Sequence, residues 1–257
     1  MSKTIVALVI TTAISSSILQ KQTKPWKEWT RKEAEKILNE SPWSQTQTDT
    51  ESARPEEPTK SFGDTRGRES GITSVTAPST IKFRVRLFSA RPVRQAYVRI
   101  SELSDKPPDE AASQKMDAWA NLQADDQIIV SVAYESSDRG SMGMLTRALT
   151  TAATENFKNA VYLERKDGKR LYITEYVPPS KDVFGARLKF PRTIDGQPFV
   201  TSDSGVIRFH AEYQAKASET SVNGTALPAG SRSESAKFKI DVKFKVAEMI
   251  YNGELEY

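Results

Sequence analysis

The stretch A-K-F-K-I-D-V-K-F-K-V, Ala236 to Val246, places an apolar residue at every second position and a charged one at each position between. In an extended chain successive side chains point to opposite faces. This stretch therefore predicts a strand with one face on a core and the other in water. The same alternation recurs at Ile81, Phe83, Val85 and Leu87, at Phe184, Ala186, Leu188 and Phe190, and at Ile207, Phe209, Ala211 and Tyr213. A single wet face is antiparallel behaviour. Ile128 to Ala133 is apolar on both faces and predicts a central strand.

Val161 to Tyr176 predicts a hairpin turning at Lys166-Asp167-Gly168. A two-residue Asp-Gly loop would set Arg165 against Arg170 and Lys166 against Lys169, which is repulsive. A loop of three residues with Gly168 left-handed instead pairs Glu164 with Arg170, Leu163 with Leu171 and Tyr162 with Tyr172, and this register is expected. Two helices interrupt the strands. One runs from Asp109 to Leu122, with Ala112, Met116 and Trp119 at helical spacing; the other runs from Met144 to Phe157, with Leu145, Ala148, Leu149 and Ala152. The sum is a mainly β domain over residues 80–257, an antiparallel β-sandwich or small barrel with two inserted helices.

Ahead of it, residues 20–44 form a short Trp-rich helical segment. Thr30-Arg31-Lys32-Glu33 is a capping box, Ala34, Ile37 and Leu38 share a face, and Ser41-Pro42 ends the helix. A helix of about ten residues is unstable alone in water. It either docks on the β domain or presents Trp26, Trp29 and Trp43 as a partner-binding handle. Residues 45–79 are rich in Thr, Ser, Pro, Glu, Gly and Arg without apolar period and predict a disordered linker.

Residues 1–19 carry Lys3 before an apolar run, Thr4 to Leu19, diluted by Thr and Ser. A charged head, a short apolar stretch and small residues at Ala13, Ser15 and Ser17 predict a secretion signal. The run is short for a membrane anchor, so no integral span is expected in the mature chain. The absence of cysteine excludes disulfides and leaves core burial to stabilise an exported protein. A net charge of +4, which falls to +3 without Lys3, is too small to point to nucleic acid. Asn39-Glu40-Ser41 and Asn223-Gly224-Thr225 fit the glycosylation triplet, but Pro42 spoils the first and the pattern is common.

The chain lacks the usual catalytic signatures. His210 is the sole histidine and lies with Arg208 and Glu212 on the polar side of its strand, where exposure is expected; no G-x-S-x-G elbow accompanies it. One histidine and no cysteine leave no zinc or copper site, and Gly168-Lys169 is not a phosphate loop. No catalytic, cofactor-binding or metal residue is therefore assigned. Lys82, Arg84 and Arg86 share one strand face, and Lys237, Lys239, Lys243 and Lys245 share another. If adjacent, they would form a basic plane suited to an anionic lipid, polysaccharide or protein; otherwise they are solvated outward faces. Met249, Tyr251, Leu255 and Tyr257 resemble the last strand of an outer-membrane barrel.

W-T-R-K-E-A-E-K-I-L-N-E-S-P-W (Trp29 to Trp43), Y-L-E-R-K-D-G-K-R, and F-x-V-A-E-M-I-Y-N-G-E-L-E-Y at the end together resemble a group of uncharacterised exported bacterial proteins. The resemblance implies a bacterial, exported protein, periplasmic or extracellular, and carries no activity or residue role. The expected function is a non-catalytic binding or scaffolding module of the cell envelope. The alternatives are a carboxylate-dependent hydrolase of an envelope polymer and an outer-membrane barrel.

Overall fold

The computed structural model describes residues 24–51, 79–123, 126–180, 184–214 and 237–257. The signal expected at 1–19, the triplet at Asn223 and most of the expected linker lie outside them. In chain order the elements are α1 (Arg31–Glu40), β1 (Ser44–Glu51), β2 (Ser79–Leu87), α2 (Arg91–Glu102), α3 (Glu110–Asn121), β3 (Gln127–Ser136) and α4 (Arg139–Thr151). There follow β4 (Val161–Arg165), β5 (Arg170–Tyr172), β6 (Glu175–Val177), β7 (Ala186–Pro191), β8 (Thr193–Ile194), β9 (Gln197–Pro198), β10 (Val206–Gln214) and β11 (Lys237–Lys245). A small hairpin of β12 (Ile250–Tyr251) and β13 (Glu254–Leu255) ends the chain.

The alternating segments pair as their pattern requires. One sheet runs β1-β2-β3-β7-β6 and a second runs β11-β10-β4-β5, every pairing antiparallel. Phe83 and Val85 of the first sheet and Phe209 and Phe244 of the second are fully buried in one continuous core. Phe83 meets Phe238 at 5.5 Å and Phe190 meets Phe209 at 6.5 Å across it. The fold is β-rich and does not close into a barrel. The hairpin pairs Glu164 with Arg170, Leu163 with Leu171 and Tyr162 with Tyr172, so avoidance of like-charge pairs set the register as argued.

Three expectations are corrected. Among the described residues there are four α-helices rather than the three expected: the additional one is α2, which Pro92 in its first turn and Val93, Ala96, Tyr97 and Ile100 at helical spacing announce. The first seven residues of the expected linker, 45–51, belong to β1, which pairs from Ser44↔Arg86 to Glu51↔Ser79. Its polar composition has a use. Gln47 donates to the Lys239 carbonyl and accepts from the Asp241 N–H, both at 2.7 Å, and so covers the free edge of β11 with a side-chain amide. The terminal residues are not one barrel strand: a 3-10 turn (Val246–Glu248) and a tight turn at Asn252-Gly253 fold them back, burying Met249, Tyr251 and Tyr257.

Helices α1, α2 and α3 lie together beside the first sheet, with Trp119 of α3 5.4 Å from Phe88 and 6.0 Å from Tyr97 of α2. Helix α4 ties both sheets, accepting from Tyr176 at the Leu149 carbonyl (2.7 Å) and from Tyr213 at the Ala148 carbonyl (3.3 Å). The capping box forms as read: Thr30 accepts from the Glu33 N–H at 3.2 Å, and Glu33 accepts from the Thr30 N–H at 2.7 Å. That backbone bond, with Lys24 beside it, holds the Glu33 carboxyl at about 2. Its contribution is in place above the ordinary value of 4.5 and is lost as pH falls toward 2. Thr30→Ala is expected to cost about 1 kcal/mol, read from the urea midpoint at neutral pH.

Candidate functional site

Of the basic row on β2, Lys82 and Arg84 are half-buried and Arg86 is fully buried, only 5% exposed. The outer face of β2 is wet at one end and roofed at the other, because the C-terminal turn of α1 lies over Arg86. Arg86 donates from Nε to the Leu38 carbonyl at 2.6 Å and from Nη2 to Asn39 Oδ1 at 3.0 Å. Ser44 Oγ donates to the same Leu38 carbonyl at 2.6 Å. These neutral oxygens, at the negative end of a helix, share the charge only in part. Nη1 has no hydrogen-bond partner among the described residues. Burial, with Arg84 adding a smaller push, lowers the Arg86 guanidinium to about 10, which leaves it charged at neutral pH.

Arg86 opens into a cleft of about 480 Å³. Its polar wall is Arg84, Arg86, Asn39 and Glu135. Arg84 Nη2 lies 3.1 and 3.3 Å from the two Glu135 oxygens, an exposed pair that offsets one of the two positive charges. Directly across the β2–β3 ladder from Arg86 stands Ser131, which is fully buried and whose Oγ also has no partner among the described residues. The opposite wall is apolar: Tyr97 and Ile100 of α2, Met142 of α4 and Pro179, all half-exposed. Tyr97 is held in place by Phe184, ring centroids 4.3 Å apart, and by Trp119. Gly185 closes the floor where β7 begins, against the backbone of Val132.

The second basic row does not join the first. β11 is the edge of the other sheet, and Lys239, Lys243 and Lys245 are exposed, so those lysines are an outward face. His210 is corrected from exposed to buried, at 8% exposure. Its strand is central, so Tyr162 from β4 stacks on it at 4.8 Å and Asp241 from β11 lies 3.6 Å from Nδ1. Asp241 is held by Arg208 through two bonds, which lower its carboxyl from its ordinary value, and no hydroxyl bonds the imidazole among the described residues. A Ser-His-Asp arrangement is not assembled there.

The tryptophans expected as a handle are distributed differently. Trp29 and Trp43 are buried, 7% and 5% exposed, and both meet Tyr251 edge-on at 6.5 and 6.3 Å. Their indole N–H groups donate to the Lys24 carbonyl (3.1 Å) and the Glu256 carbonyl (2.8 Å). Trp26 is half-buried beneath the Lys27 ammonium, 4.4 Å from its ring. Trp29 and Trp43 also border a groove of about 450 Å³ with Ile37 and Ile250. The sequence reading found Arg84 and Arg86 through their shared face but missed Asn39, Tyr97 and Ile100, which only the packing of α1 and α2 brings there.

No cluster of His, Asp and Glu among the described residues is arranged to hold a metal ion, and no described helix is long and apolar enough to cross a membrane. Glu256 is the one buried carboxylate among them, and Arg91 binds it. Comparison with known proteins finds no matching family model, no matching curated protein and no matching solved structure.

Proposed function

We propose that the protein is a non-catalytic binding module, exported to the bacterial cell envelope, that holds an anionic group of its ligand against Arg86. The observation that supports this is a charged guanidinium, 5% exposed, with no carboxylate bonded to it, lining a cleft beside Arg84. A buried charge without a counter-charge costs stability, and a buried polar atom without a partner asks for an explanation. An anion seated in the cleft supplies the missing counter-charge. Lys3 with the apolar run behind it, and the resemblance to exported bacterial proteins, support the location. The partner is then an envelope component bearing negative charge.

The test is a chemical-shift titration with sodium acetate and with sodium phosphate at constant ionic strength, on wild type and Arg86→Gln. Saturable binding by wild type, weakened at least tenfold in the variant, is the expected result. The unliganded variant is expected to unfold within about 1 kcal/mol of wild type, because Ser44 still serves the Leu38 carbonyl and a buried charge has been removed. Equal binding by both proteins would end the reading. Fractionation of cells expressing the whole chain checks export; retention in the cytoplasm would remove the envelope from it.

A further inference from the structure

We infer that the ligand of this cleft is an amphiphilic monoanion, one acidic head group on an apolar body. The inference rests on the anion-binding reading above and adds the ligand's charge and shape. The head's charge follows from counting. Arg84 and Arg86 contribute two positive charges, Glu135 returns one negative charge, and one positive charge is left for the ligand. A dianion would have to release Glu135 from Arg84 or remain unbalanced in a partly buried site.

The head's position follows from which cation the cleft exposes. Nε and Nη2 of Arg86 are engaged by Leu38 and Asn39 and Nη1 is covered by protein, so a ligand oxygen approaches at the Arg84 side of the cleft with the Arg86 charge behind it. Such an oxygen meets the Arg84 guanidinium, which is 31% exposed and holds Glu135 through Nη2. Either a carboxylate or a phosphodiester satisfies this geometry, since both offer charged oxygens and a single negative charge.

The body follows from the facing wall. Tyr97, Ile100, Met142 and Pro179 come from three separate parts of the chain and leave apolar surface half-exposed around one opening. Exposed apolar groups scattered singly need no explanation; four converging on a charged floor do. A ligand built only of charge, such as inorganic phosphate, would leave that wall wet. One with an apolar body covers it, and each methylene covered tightens binding by roughly fourfold.

The experiment is isothermal titration of the whole mature chain with acetate, octanoate, 1-octanol and dibutyl phosphate. Octanoate is expected to bind at least tenfold tighter than acetate, and 1-octanol at least tenfold weaker than octanoate. Ile100→Ser should weaken octanoate three- to tenfold and leave acetate unchanged; Met142→Ser gives the same reading should the first variant lose helix by circular dichroism. Arg86→Gln should weaken both anions. Dibutyl phosphate tighter than octanoate assigns the head to a phosphodiester, and the reverse order to a carboxylate; both orders support an amphiphile. Equal affinity for acetate and octanoate overturns the amphiphile and leaves the anion site standing. Indifference of both anions to Arg86→Gln, as for an arginine that holds only water, overturns the site itself.

Discussion

Trp43→Ala is expected to destabilise the protein by about 3–5 kcal/mol, seen as a lower urea midpoint at an unchanged slope. Three losses combine. The indole is 5% exposed and belongs to the core, so its removal leaves a void beside Tyr251. Its edge-on contact with Tyr251 at 6.3 Å goes with it. The bond from Nε1 to the Glu256 carbonyl at 2.8 Å is also broken, freeing the end of the chain from the start of β1. Trp43→Phe keeps most of the volume and loses the bond, so a cost of about 1–2 kcal/mol is expected. Trp26, half-buried, serves as the comparison: Trp26→Ala should cost less than Trp43→Ala. Should Trp43→Ala melt with wild type while changing what the protein captures, the residue is a handle and its place in the core is wrong.

The difference between Trp43 and Arg86 shows where sequence reading stopped. Alternation located β2, β7, β10 and β11, because a period of two survives whenever one face meets a core, whereas β3 showed as a run apolar on both faces. Like-charge avoidance fixed the 161–172 hairpin, because its interactions are local. β1 was unreadable by the same rule. Its outward partners are a helix end and the edge of another sheet, so Ser44 and Gln47 make hydrogen bonds where a core strand would bury methyl groups. His210 and Arg86 were both placed on wet faces, and both are buried for one reason. A polar face becomes dry when another element covers it, and the covering elements, Tyr162 in one case and α1 in the other, are distant in sequence. The arginine row was visible as charge. That one member is buried without a counter-charge, beside an apolar wall from α2, is a tertiary fact.

Gly185→Ala is expected to be the most damaging single change in the cleft, costing more than about 4 kcal/mol or preventing accumulation of folded protein. Two causes act together at this position and can be separated. The first is backbone conformation: φ is +74°, in the left-handed region, where a side chain costs about 1–2 kcal/mol. The second is space. A Cβ at Gly185 would sit 2.1 Å from the Val132 carbonyl oxygen and 2.8 Å from the Ala133 Cα, and both are backbone atoms of the neighbouring strand. Neither can swing away as a side chain would, so β3 and β7 must part at the Val132↔Ala186 end of their ladder. Gly168→Ala is the control, because φ there is +83° and an added Cβ meets nothing within 4 Å. That variant should lose only about 1 kcal/mol, with the hairpin register kept. The two strands that part also form the floor beside Arg86, so any Gly185→Ala protein that does fold should bind acetate more weakly than Gly168→Ala does. Matching losses of stability in the two variants would mean that β7 does not approach β3 as closely as described, and the cleft would lose its floor.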